Sequence, residues 1–173
     1  MAGQAIIETA LTVMMICLLF FGLVQMALLF TAHDVLQYAA NKGARARTVG
    51  FNDFMVYKTT RVGAIANAGR MIFPDPPAGK LAQSDIELAT IPFYLGAPSY
   101  SYLPGILDYE DWNTVWHSYP VTPADGTLEV RVQQNFPLRM PMHGAFYAAD
   151  SMRLQGECTI DSHYPLYLDD QGW

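Results

Sequence analysis

Charged side chains are scarce in this sequence, where Asp, Glu, Lys and Arg fill only 15% of the 173 positions. Globular proteins carry about 25% charged residues on average. Ten Lys and Arg stand against 16 Asp and Glu, which gives a formal net charge of -6. Nucleic-acid binding needs clustered basic side chains that neutralise phosphates, so the acidic balance argues against a nucleic-acid partner.

Cysteine is also scarce, with Cys17 and Cys158 as the two copies. Two cysteines cannot build a disulfide framework, and their spacing fits neither a zinc site nor a haem attachment motif. The four histidines lack the H-x-x-x-H spacing of a metal site. The sequence also lacks a nucleophile elbow, a P-loop and a dinucleotide-binding turn. It therefore predicts no catalytic residues, no cofactor and no metal, as expected of a protein that is not an enzyme.

A long apolar run is the strongest positive signal. Residues 9–32 contain neither a charged residue nor a proline. A helix needs about 20 residues to cross the hydrocarbon core of a bilayer, so this run is long enough to span it. The run is apolar on every side, unlike an amphipathic surface helix. A secretory signal would have a shorter apolar region after a basic start, so a retained membrane or core helix is favoured.

Glu8 stands at the start of this run. Taken alone, it is an acidic residue in the first turn of a helix, where the helix dipole favours a negative charge. In context, residues 3–8 read G-Q-A-I-I-E directly before the apolar run. This segment resembles the processing site of type IV pilin-like proteins, especially TadE-like pilins of the tight-adherence (Tad) family. The resemblance implies cleavage by a prepilin peptidase between Gly3 and Gln4. Residues 1–3 would then be a leader remnant, and Glu8 would become the fifth mature residue.

The resemblance also implies a function. A pilin of this type is a structural subunit of an extracellular type IV or Tad-like filament, and it polymerises with copies of itself through its apolar helix. It lies in the inner membrane among lipids and meets the pilus assembly machinery before it joins the filament on the bacterial surface. Glu8 would pair with the α-amine of Gln4 in a neighbouring subunit and set the axial register. The alternative is a single-pass, membrane-anchored extracellular domain that binds or adheres without polymerising.

Charge alone leaves the orientation open. Lys42, Arg45 and Arg47 follow the apolar run, and the positive-inside rule would place them in the cytoplasm. The pilin resemblance implies the opposite orientation, with the C-terminal part outside. We follow the resemblance, and expect an external C-terminal domain.

The predicted fold class is α+β. A long helix is expected over residues 4–50, with the transmembrane or filament-core segment at about 9–32, because helix-forming residues continue past the run without proline. A second helix is expected over 51–73. Prolines then mark the start of a β-rich domain, residues 74–173.

Alternating apolar and polar residues predict antiparallel strands at 84–91, 127–136 and 152–160. Each strand has one apolar face that must be buried. The C-terminal half of the long helix, called the distal half, is amphipathic, and its apolar side can pack against these faces. The small sheet should therefore pack on that half of the helix.

An aromatic-rich loop is expected over residues 92–125, which contain several prolines and glycines. Long irregular segments are often functional or interface-forming. Tyr and Trp suit subunit contacts because they combine apolar area with a polar tip. Packing over the sheet, contact between subunits and ligand recognition all remain open for these side chains. The candidate interface aromatics are Tyr94, Tyr100, Tyr102, Tyr109, Trp112, Trp116 and Tyr119.

Overall fold

The computed structural model confirms the α+β fold. It describes residues 2–75, 83–112, 115–118, 121–122, 127–141 and 143–161. The helices are α1 (Ala2–Thr48), α2 (Asp53–Gly63) and α3 (Gln83–Gly96). The strands are β1 (Met71–Phe73), β2 (Asp108–Tyr109), β3 (Val115–Ser118), β4 (Val121–Thr122), β5 (Thr127–Pro137) and β6 (Ser151–Asp161).

Helix α1 is one continuous helix of 47 residues, about 70 Å long at 1.5 Å per residue. It ends where the sequence predicts, because Gly50 adopts a left-handed φ of 94°. The amide of Gly50 donates to the carbonyl of Arg47 (2.9 Å), and the amide of Phe51 donates to that of Ala46 (3.3 Å). These two bonds form a Schellman cap, which satisfies carbonyls that the last turn would otherwise leave unpaired.

Helix α2 runs back along the distal half of α1. The Asn52 side chain caps its start by accepting from the amide of Met55 (3.0 Å). At its end, a β-carbon on Gly63 would lie 2.9 Å from the Cα of Ala39, so the glycine permits close helix contact. The chain then forms a 3₁₀ turn and enters β1, so the predicted second helix of residues 51–73 is too long. Gly69, with φ at 79°, helps to redirect the chain there.

The larger sheet is built on a long antiparallel pair. Strands β5 and β6 align from Thr127 opposite Asp161 to Pro137 opposite Ser151, which confirms the predicted strands at 127–136 and 152–160. Strands β3 and β4 pair with β5 along its other side.

One face of this sheet packs on α1. Leu128, Val130 and Val132 of β5 are buried on that face, as are Leu36 and Ala40 of the helix. The apolar faces of the strands are thus buried against the amphipathic distal half of α1, as the sequence predicts.

The predicted strand at 84–91 is wrong, because these residues form the first part of α3. Ile86 and Leu88 alternate with acidic residues over only a few positions, and so short a pattern cannot distinguish a strand from a helix. The helix buries Tyr94 and leaves Leu88 exposed. Residues 92–125 are also more regular than expected, because they contain the end of α3, a 3₁₀ turn (Tyr100–Gly105) and the short strands β2, β3 and β4.

Lys58 of α2 holds the end of α3. Its side chain is buried, and Nζ donates to the carbonyls of Leu95 (2.6 Å) and Ala97 (2.9 Å). The same ammonium lies 4.3 Å from the centre of the Phe54 ring. A cation at the C-terminus of a helix interacts favourably with the helix dipole and with the terminal carbonyls. Burial nevertheless lowers the pKa of Lys58 from its ordinary value.

We expect Lys58→Met to destabilise the domain by about 2 kcal/mol, because it leaves two carbonyls at the end of α3 without their donor. Lys42→Met, at an exposed position where the ammonium lies over the Tyr38 ring, should change stability by less than about 0.5 kcal/mol.

The unfolded chain binds more protons than the folded chain just below pH 10.5, because folding lowers the pKa of Lys58. The stability advantage of the wild type over Lys58→Met should therefore rise with pH in that window. Urea unfolding at several pH values measures both effects, and a pH-independent advantage would contradict the second.

Candidate assembly surface

The N-terminal half of α1 projects from the domain as an apolar rod. The helix from Gln4 to Thr48 is long and apolar enough to cross a membrane, and its most apolar 18-residue window is only 11% buried. The large side chains exposed before residue 24 are Ile6, Ile7, Leu11, Val13, Met14, Met15, Ile16, Leu19, Phe20 and Leu23. Large exposed apolar surfaces mark sites of contact with protein or lipid.

The domain packs against α1 nearer to the N-terminus of the helix than the sequence predicts. Gln25 and Leu29 are buried, although both lie in the predicted segment 9–32. The backbone amide of Met140 donates to Oε1 of Gln25 (3.2 Å). The ring of Phe146 lies over Gly22, where a β-carbon would come within 2.9 Å of it. The free apolar rod therefore ends near residue 22, and Gly22 makes room for an aromatic ring of the same chain.

Glu8 lies on the exposed surface of the rod. Its Oε1 accepts a hydrogen bond from Nε2 of Gln4 (3.0 Å), one turn earlier on the helix. Gly3 and Gln4, the predicted processing site, lie in the first turns of α1. The structure therefore places the acid and the site of the predicted mature N-terminus at one end of the rod, about 6 Å apart along the axis.

Three of the candidate interface aromatics are buried inside the chain. Tyr94, Tyr109 and Trp112 have no exposed surface, and the Trp112 ring centre lies 5.3 Å from that of Tyr94 and 4.6 Å from that of Tyr109. The guanidinium of Arg61 lies 4.5 Å from the Trp112 ring, and the Tyr109 hydroxyl donates to Glu87 (2.8 Å). Burial raises the pKa of Tyr94 and of Tyr109. These three side chains pack the core and present no surface to a neighbouring subunit.

Tyr100 and Tyr102 are exposed, and they retain the surface that a contact would need. The Tyr100 ring also contacts Phe54, with ring centres 4.5 Å apart, near the distal end of α1. Trp116 lies in β3 opposite Gln133. Tyr119 lies outside the described residues. Sequence patterns alone could not separate these exposed tyrosines from their buried neighbours.

The described residues hold no cluster of His, Cys, Asp or Glu that could bind a metal ion. Cys17 and Cys158 are free thiols, and burial raises the pKa of Cys158. A raised thiol pKa lowers the thiolate fraction, so Cys158 is suited to packing more than to nucleophilic chemistry.

The comparisons with known proteins agree with the geometry of α1. Residues 3–45 match the family model described as TadE-like protein. The match covers most of α1, including the exposed rod, and stops before α2. No curated protein and no solved structure gives a significant match to the chain. The match confirms the resemblance to the TadE-like family for the N-terminal helix.

Proposed function

We propose, from a TadE-like segment at residues 3–45 and the apolar helix that contains it, that this Tad pilus-related chain is a pilin. It polymerises with copies of itself into a type IV or Tad-like filament outside the cell. Its role is structural, and it uses no catalysis, cofactor or metal. Before assembly it is anchored in the inner membrane, where a prepilin peptidase cleaves it between Gly3 and Gln4 and the pilus assembly machinery receives it.

The exposed apolar rod is the observation that carries this proposal. From Gln4 to Gly22 the helix extends about 27 Å beyond the part that packs against the domain. A surface of this kind can be buried either by lipid or by the same surface of other subunits. One rod can therefore exchange lipid contacts for helix contacts without any refolding of the domain.

Glu8 supports polymerisation over permanent residence in lipid. A buried carboxylate is costly unless a partner neutralises it and donates hydrogen bonds. In a bundle of rods, the α-amine of a cleaved neighbouring chain at Gln4 would supply both. Glu8 is exposed at the N-terminal end of the rod, so a neighbouring chain can reach it. Such a pair would favour one axial stagger over others.

The second candidate function is a membrane-anchored binding or adhesion domain that does not polymerise. Tyr100 and Tyr102 favour it, because exposed tyrosines at the distal end of the domain are suited to recognition. This function does not require the processing motif at residues 3–8.

Material sheared from the surface of cells that produce the chain tests the proposal. We expect ordered filaments that bind an antibody raised against the β-sheet domain. The intact mass of the filament subunit should correspond to a chain that begins at Gln4. Recovery of the chain as a membrane-bound monomer, in cells that make no filament from it, would support the second function instead.

A further inference from the structure

The connection between β5 and β6, described at residues 138–141 and 143–150, lies beside the rod. Phe146 covers Gly22, and the amide of Met140 bonds to Gln25. These contacts place the connection at the edge of the domain that faces the free end of α1. We infer that this connection enters the boundary between headgroups and acyl chains of the bilayer while the subunit is anchored. The inference rests on the membrane-anchored stage of the proposed function.

Helix geometry restricts the position of the connection. The hydrocarbon core is about 30 Å thick, which corresponds to about 20 residues of straight helix. With Glu8 at one boundary, the opposite boundary falls near residue 28. With Gln4 at that boundary, the opposite one falls near residue 24. Both positions lie beyond Gly22, where Phe146 packs, and a tilted helix would move the boundary further toward the domain.

The composition of the connection suits this location. Residues 140–149 contain no Asp, Glu, Lys or Arg. Phe146 is 47% exposed where it packs over Gly22, and α1 exposes the apolar side chains of Leu23 and Met26 in the next turn. The apolar surface of the rod therefore continues onto the domain. Arg139 and Asp150, which flank this segment, are exposed and can remain among the headgroups, and His143 within the segment lies 3.3 Å from Asp150.

The backbone of the connection is also folded in a way that a bilayer boundary tolerates. Unpaired backbone groups are costly where water is scarce. The amides of Phe146 and Tyr147 both donate to the carbonyl of His143 (2.9 Å each). The amide of Leu138 donates to the carbonyl of Asp150 (2.8 Å) and closes the base of the connection. These donors need no water in order to be satisfied.

The alternative occupant of this surface is the rod of a neighbouring subunit in a filament. Gly22 lies within the length of α1 that spans the bilayer, so in every anchored subunit the connection beside Gly22 lies at the membrane. Lipid is therefore the favoured occupant of this surface before assembly.

Depth-dependent fluorescence quenching in vesicles tests the inference. The full chain, with Cys17→Ala and Cys158→Ala, receives a single cysteine by Phe146→Cys or Ala145→Cys and a bimane label. It is inserted into phosphatidylcholine vesicles that contain lipid with a nitroxide near the headgroup. We expect quenching of both labels by at least about twofold, as for a group at the membrane boundary. Ala145→Cys keeps the Phe146 ring, so it also controls for loss of that side chain.

Two control sites make the result decisive. Tyr100→Cys replaces an aromatic residue of similar exposure that packs on Phe54 of α2, just after α1 ends, and its label should not be quenched. Leu11→Cys reports insertion of the rod itself, and its label should be quenched by a nitroxide deep in the acyl chain. Quenching at Leu11 without quenching at 145 and 146 would overturn the inference and leave the anchoring intact. No quenching at Leu11 would overturn the anchored stage of the proposed function. Labels at 145 and 146 that are shielded from iodide in filaments, but not quenched in vesicles, would assign the surface to a neighbouring subunit and overturn the inference.

Discussion

Glu8→Ala is expected to reduce filament yield by at least about tenfold while the chain still enters the membrane. Removal of one partner from a buried ion pair costs about 3–5 kcal/mol, because the other charge is left unpaired. Each 1.4 kcal/mol changes an association constant about tenfold, and the loss would recur at every subunit contact. Insertion should be unaffected, since the apolar run at residues 9–32 is unchanged. Sheared filament protein, normalised to membrane-bound protein by immunoblot, measures the effect.

Two further variants separate the charge of Glu8 from its other properties. Glu8→Gln keeps the shape and can still accept a hydrogen bond, but it cannot neutralise an amine, so it should resemble Glu8→Ala. Asp34→Ala removes an exposed acid from the same helix beyond the apolar run, and the yield should stay at the wild-type level. An unchanged yield with Glu8→Ala would show that the register does not depend on this acid.

The sequence predicts α1 well because its signals are local and long. The apolar run, the helix-forming residues after it and Gly50 at the end all act within one continuous segment. The strand pair β5 and β6 is also predicted, because each strand alternates over about ten positions. The segment at 84–91 fails because a short alternation cannot distinguish a strand from a helix.

The contact between the domain and the apolar run of α1 could not be predicted, for a different reason. Gln25 and Met140 are separated by 115 positions, and no local pattern in the apolar run indicates that the domain packs on it. A glutamine within the run is a weak signal, because its burial is understandable only once its partner is known. The same limit applies to Tyr94 and Trp112, because the sequence does not show that their rings pack on each other or that the Arg61 guanidinium lies over Trp112.

The contact between the sheet and the C-terminal half of α1 is closest at Gly156. A β-carbon at this position of β6 would overlap the carbonyl of Leu36 and lie 2.5 Å from the amide nitrogen of Gln37. These atoms belong to the backbone of α1, so no side-chain rotation relieves the overlap. The Gln37 side chain also bonds to both backbone groups of Glu157, with the Glu157 amide 3.1 Å from Oε1. The strand is therefore held against the helix by backbone proximity and by this side-chain bridge together.

Gly156→Val should destabilise the domain by more than about 3 kcal/mol, at the upper end of overpacking effects, because β6 must move away from α1. For a domain of this size we expect a fall in Tm of at least about 10 °C. Near-ultraviolet circular dichroism of the detergent-solubilised chain measures it, because buried aromatic side chains such as Trp112, Tyr94 and Tyr109 give a signal only in the folded domain. Gly105→Ala, which adds a methyl group where no atom lies within 4 Å, should leave Tm nearly unchanged. A Gly156→Val chain with wild-type Tm would mean that β6 does not rest on the backbone of α1.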